Sequence, residues 1–240
     1  MLKNVKKYSI LFCSVETFVC KENESYCKEC CNNCCKECCN NCCEKEILEE
    51  NKREGNWIKF LSGEKIQDES FKFQSCEDFR KANDKNLESH HDYIQVVFPN
   101  IKKSSYANQD LYLEKNLKKW QELMQNLEIR LKIQKNLKLN LIRILKFFGF
   151  EVTLGENSEI TKLVAKNDGV VFNPGNHNSL RLTRVLKCLK IFGLDNEYNL
   201  IIISINSNEE IMTKIKKNPT LKKSYEYWIK SKETNCLFPK

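Results

Sequence analysis

The chain has 240 residues, seven glycines, four prolines and a formal net charge of +8. That length accommodates one domain of roughly 175 residues plus a tail. Few turn residues beside many Leu, Ile and Lys favour helices over turn-rich β architectures. The longest apolar stretch, Leu200 to Ile205, falls far below the ~20 residues of a membrane-spanning helix. The expected fold is all-α, a compact multi-helix domain behind a low-complexity, Cys-rich N-terminal tail.

The first segment, residues 1–26, places Lys3, Lys6 and Lys7 before Tyr8 to Cys20, a loose imitation of a signal peptide. Glu16 interrupts its apolar part and no small-residue cleavage site follows, so a short helix is the better reading and secretion is not expected.

Residues 28–35, Lys-Glu-Cys-Cys-Asn-Asn-Cys-Cys, repeat without change at 36–43, and with Cys27 this gives nine cysteines in seventeen residues. They form four contiguous Cys-x-x-Cys units, Cys27/Cys30, Cys31/Cys34, Cys35/Cys38 and Cys39/Cys42, with Cys43 over. Three readings stay open. One is a replicated low-complexity segment without a defined site. Another is a thiolate cluster for zinc or copper, since four thiolates close a tetrahedral site around a soft metal. The absence of a long loop between knuckles makes that cluster metallothionein-like rather than finger-like. The third is disulfides or acylation. Cys and Asn form helices poorly, so an unaided helix is not expected here.

Residues 44–56 read as a polar linker. From there to Ser89, short helices and loops carry apolar islands at Trp57-Ile58, Phe60-Leu61, Phe71, Phe73 and Phe79. His90 to Pro99 reads as a short helix with Asp92 as N-cap and Tyr93, Val96 and Val97 facing a core, stopping before the proline. His90 and His91 are adjacent, about 100° apart on a helix, and poorly placed to share a metal.

Asn100 to Gln109 is a linker, and residues 100–149 hold eleven Lys/Arg against four Asp/Glu. Leu113, Leu117, Trp120, Met124, Leu127 and Leu131 alternate by four and three; Gln134 interrupts, and Leu137, Leu141, Leu145 and Phe148 resume. This is one long helix or two stacked ones, its stripe packed into the core or, alternatively, open to a partner helix. Gly155 to Gly175 is loop-rich around an apolar island at Val170-Val171-Phe172.

Asn176 to Leu194 is the clearest amphipathic helix. Asn178 or Ser179 serves as N-cap. Leu182, Val185, Leu186, Leu189 and Phe192 mark the core face, and Gly193 stands where a left-handed turn ends a helix. Arg181, Arg184, Lys187 and Lys190 form a cationic stripe, either a solvated face or a partner surface. Asn218-Pro219 opens a last helix with Leu221, Tyr225, Trp228 and Ile229 inward, and 233–240 is a tail.

His91-Asp92-Tyr93-Ile94-Gln95 with Phe98-Pro99, and His177-Asn178 running into Arg181-Leu182-Thr183-Arg184-Val185-Leu186-Lys187-Cys188-Leu189, together resemble the conserved N-terminal domain of the opioid growth factor receptor family. Weaker echoes are Asn56-Trp57 with Phe60 and Gly63, and Leu141 to Phe150. The resemblance covers roughly Trp57 to Lys232. Val96 and Val97 depart from it, standing where the family has Trp-Leu. Tyr112 to Asn140 is longer and richer in Lys and Asn. The proline- and acid-rich repeats of some vertebrate members are not among these residues, so functions resting on them are not carried over.

The resemblance implies an all-α, non-enzymatic receptor for an enkephalin-type pentapeptide, with control of growth and an association with the nucleus, its envelope or membrane fractions. Asp92, Tyr93, Gln95, His177, Asn178, Arg181 and Arg184 are then the candidate contacts, with Asp92 receiving the ammonium and Arg181 or Arg184 the carboxylate. Two other readings rest on composition: metal binding through Cys27, Cys30, Cys31, Cys34, Cys35, Cys38, Cys39 and Cys42, or a basic module for acidic partners or nucleic acid. Catalysis has no motif to carry it: there is no Gly-rich phosphate loop, no His-Glu-x-x-His and no nucleophile elbow.

Overall fold

The computed structural model describes residues 36–104 and 111–237, with side chains from Leu48 onward. Two units divide the chain, Met1–Asn51 and Lys52–Lys240. The expected N-terminal helix and Cys27, Cys30, Cys31, Cys34 and Cys35 lie outside the described residues. Cys38, Cys39 and Cys42 fall in helix α1 (Lys36–Leu61), where the backbone alone is described. That helix takes in the second copy of the repeat and the 44–56 segment read as a linker. Propagation adds one hydrogen bond per residue fixed, whereas nucleation is the costly step. Once the Trp57–Leu61 end is packed, extending the helix toward Lys36 costs each Cys or Asn under about 1 kcal/mol of propensity.

The second unit is helical, as expected, with one small sheet. Three short helices come first: α2 (Cys76–Lys81), α3 (Asp84–Ser89) and α4 (Tyr93–Val97). Then follow α5 (Leu117–Gln125), α6 (Leu127–Phe148), strands β1 (Phe150–Leu154) and β2 (Ile160–Ala165), and α7 (Asn178–Ile191). Helices α8 (Asp195–Asn206), α9 (Glu209–Lys217) and α10 (Pro219–Lys230) complete the body.

Asparagines make the joints. Asn83, Asn126, Asn208 and Asn218 each accept from free N–H groups of the next helix through their side chains, which removes orphan donors at its start. Asn126 also ends α5, so the 113–148 stretch is two helices. The joint shifts the phase of the apolar stripe: Leu127 and Leu131 are exposed, while Ile133, Leu137, Leu141, Ile144, Leu145 and Phe148 are buried. Of the two readings open for this region, two helices are found, with the break at Asn126 rather than at Gln134.

The hairpin is not anticipated by the sequence, and its second strand lies in the stretch from Gly155 that reads as loop-rich. Phe150 pairs with Ala165 and Val152 with Leu163, antiparallel, with an irregularity at Thr153/Leu154. Its strands are short and half-exposed, so period-2 patterning is faint. Gly149 turns the chain from α6 into β1 at φ +96°, and an added Cβ would lie 2.2 Å from the Gly169 Cα. No other residue fits there without moving the backbone.

The three tryptophans, Trp57, Trp120 and Trp228, are all fully buried. Each indole N–H finds an acceptor, at Val96 O, Glu54 Oε1 and Ser179 O respectively, as burial of that donor requires. The Trp57 and Trp120 rings meet edge to face at 5.3 Å. Leu237, expected in the tail, is buried, and its N–H donates to Ile191 O at 2.9 Å.

Candidate functional site

The segment from Cys76 to Asn100 consists of three helices of five or six residues. Helices this short are not stable in isolation, and the carbonyls at their C-terminal ends lack partners within the helix. Arginines from the long helices supply them. Arg143 of α6 donates twice to Ala82 O, the cap of α2, at 3.1 and 2.6 Å, and pairs with Asp84. Arg181 of α7 donates to Leu87 O at 3.0 Å and to His90 O at 2.9 Å, around the end of α3. Arg184 donates through Nε to Phe98 O, the cap of α4, at 2.9 Å. A cation at a helix C-terminus also meets the negative end of its dipole.

Here the structure corrects the cationic stripe. Arg181 is 5 % exposed. The Arg184 head points to the main chain, and burial pulls its guanidinium down to about 10, so it stays charged at neutral pH. Lys190 pairs with Asp195. Of the four, Lys187 faces water. Long side chains can lie along an apolar surface while the head seeks a polar group; here the polar groups are carbonyls beneath the helix.

The two motif segments, some 85 residues apart, meet at Arg181. Besides the two carbonyls, its guanidinium donates to Asn178 Oδ1 at 2.9 Å and lies 3.1 Å from His91 Nδ1. It also sits over the Tyr93 ring at 5.3 Å. Arginine has no acceptor, so His91 Nδ1 must accept, which places the His91 proton on Nε2. The His177 ring packs edge-on against His91 at 5.1 Å. Its Nε2 is 3.3 Å from Glu88 Oε1 without hydrogen-bond alignment. Burial first, then the nearby Arg181, lowers the His177 pKa. Glu88 also accepts from Asn178 Nδ2 at 3.1 Å.

Each residue expected to contact a peptide thus has a place. Asp92 precedes α4, half-buried, and its carboxylate makes no cap bond. Tyr93 and Gln95 are buried; the Tyr93 hydroxyl and Gln95 Oε1 have no partner. Burial pushes the Tyr93 phenol up to about 12, against the pull of Arg181 and Arg143. Asn178 is buried and does not cap α7. The cap position is His177, which makes no side-chain cap bond; just ahead of it, Asn176 Oδ1 accepts from Asn178 N at 2.8 Å. Ser179, the other expected cap, donates to Val171 O instead. Glu88 was not anticipated. Nothing in sequence separates it from other exposed acids, because its role comes from the turn ahead of α7. Among the described residues no three His, Cys, Asp or Glu side chains are grouped to hold a metal.

A model of the opioid growth factor receptor (OGFr) conserved region matches residues 50–235. The chain belongs to the opioid growth factor receptor family. That match takes in the arginine-capped corner and every helix after α1. No curated protein and no solved structure matches the chain. A cavity of about 660 Å³ lies elsewhere in this opioid growth factor receptor region, between β2 and the α8–α9 corner, with Asn167, Asp168, Ser204 and Glu210 in its wall. No motif residue lines it.

Proposed function

We propose that this opioid growth factor receptor-type chain is a non-enzymatic binding module that recognises an enkephalin-type peptide at the corner where the two motifs meet. The single observation that supports it is this convergence: His91-Asp92-Tyr93 and His177-Asn178-Arg181 form one cluster, on the helices that the family match spans. Asp92 carries the available carboxylate for a peptide ammonium. Arg181 is engaged by four protein acceptors and holds the corner together. Arg184 retains one donor, Nη2, without a protein partner; that atom is buried, so a peptide carboxylate reaches it only where the corner opens. The compartment that goes with this reading is the nucleus, the cytoplasm or the nuclear envelope; no helix among the described residues is long and apolar enough to cross a membrane.

Calorimetric titration of the full chain with Met-enkephalin tests it. Saturable heat that D92N weakens is the expected result. No heat up to ~1 mM would exclude even ~4 kcal/mol of binding and end the peptide reading.

The cysteine repeat supports a second reading, a zinc or copper thiolate cluster. Native mass spectra under reducing conditions, with and without chelator, would show bound metal if it is right and an apo mass in both if it is wrong.

A further inference from the structure

All three histidines of the chain, His90, His91 and His177, lie at the corner that Arg181 clamps. Imidazole is the side chain that ordinarily titrates between pH 5 and 8, so what each ring nitrogen faces decides whether it tolerates a second proton. His90 Nδ1 lies 2.9 Å from Asn86 O. A carbonyl can only accept, so that nitrogen already carries hydrogen and a charged ring keeps the bond. His91 Nδ1 faces the Arg181 guanidinium at 3.1 Å. A guanidinium can only donate, so protonating that nitrogen removes the acceptor and sets two cations against each other.

We propose that His91 is a proton-operated latch on the Arg181 clamp: neutral, it helps hold α3 and the start of α4 against α7; protonated at Nδ1, it loosens them. The surrounding charges fit a latch. From α3, Glu88 faces His177 and Arg181, the latter at 4.0 Å, and Asp84 is paired with Arg143 of α6. From the start of α4 come Asp92 and the neutral Tyr93 phenol. From α7 and the turn before it come Arg181 and His177. Helix α10 reaches this end through the uncharged Trp228 indole at Ser179 O. With both facing imidazoles charged, three cations crowd around Glu88. His177 adds to the strain on acidification, but its ring makes no hydrogen bond to Arg181. The latch does not depend on what the corner binds.

Hydrogen exchange of the full chain over residues 83–93, corrected for intrinsic rates at each pH, reads the latch. Protection of this segment is expected to fall between pH 7.5 and pH 5, on the order of tenfold, the loss of one charge-assisted hydrogen bond. Asparagine Oδ1 and imidazole Nδ1 both stand on Cγ, so H91N keeps an acceptor that cannot be protonated. This variant should lose much less protection than the wild type over the same range, the small remainder being the share of His177. H91A should show the reduced protection already at pH 7.5. A flat wild-type profile, an equal fall in H91N, or wild-type protection in H91A at pH 7.5 would each overturn the proposal. A fall that persists in H91N and disappears in H177Q would give the titration to His177 instead.

Discussion

Helix α6 spreads Lys132, Lys135 and Lys146 over faces open to water, whereas α7 turns Arg181 and Arg184 under itself, onto carbonyls of the segment it covers. The contrast follows residue type more than position, because Arg143 of α6 also reaches inward, to Ala82 O. A guanidinium is weakly hydrated and presents several donors in a fixed fork, so one side chain can satisfy two carbonyls at once. An ammonium is a strongly hydrated point charge and stays at the surface, as Lys132 does beside Glu128. In this corner the arginines hold together three helices too short to stand alone.

The largest effect should come from breaking the clamp. R181M leaves Leu87 O, His90 O, Asn178 Oδ1 and His91 Nδ1 without their donor. Several buried acceptors lose partners at once, so a destabilisation of about 3–5 kcal/mol is expected in urea unfolding. R181K should recover less than half, since an ammonium cannot span the same acceptors. A loss below about 1 kcal/mol in R181M would show that water replaces the guanidinium, and the contrast between the two helices would lose its energetic content.

A smaller loss, about 1–2 kcal/mol, is expected for R143M, which deprives one carbonyl of its donor. The partner Asp84 is largely exposed, at 72 % of its side chain, so D84N should change little. If D84N matched R143M, the surface ion pair rather than the capped carbonyl would be the source of stability.

Much of this arrangement was legible in the sequence and part was not. The core face of α7, from Leu182 to Leu189, follows from spacing alone, and so does Gly193, found at φ +70°. Asn218-Pro219 opens α10 as read. Two contiguous motifs were enough to point to the family. What spacing could not give is direction. An arginine beside an apolar stripe reads as solvated unless one knows that frayed helix ends lie beneath it, and those ends come from residues about 85 positions away. The Asn126 joint was hidden for a related reason: Asn both tolerates a helix and caps one, and the stripe on either side kept a plausible phase. The β1–β2 hairpin is too short and too exposed to show a period.

Acidification gives a weaker test of the same corner. Burial and Arg181 hold His177 below its ordinary 6.5, so the unfolded chain binds more protons between the folded value and about 6.5. Stability from this group is fully present above that window and is lost as pH falls through it. The ring is 41 % exposed, and solvent screening keeps the effect below that of R143M. Unfolding midpoints at pH 7.5 and 5.5, compared between H91N and H91N/H177Q, isolate it. An identical drop in both would remove His177 from the account.

The smallest effect separates two meanings of the basic stripe on α7. If the stripe acts through its summed charge, Lys187 and Arg184 should be interchangeable contributors. Arg184, however, reaches Phe98 O, and Lys187, three residues on, reaches water. K187A should therefore leave stability unchanged within about 0.5 kcal/mol, the usual range for a surface substitution away from any cap or core contact. R184M should cost several times more, by stripping the cap of α4. Equal losses in the two variants would mean that charge, not the geometry of a donor at a helix end, sets the value of these cations.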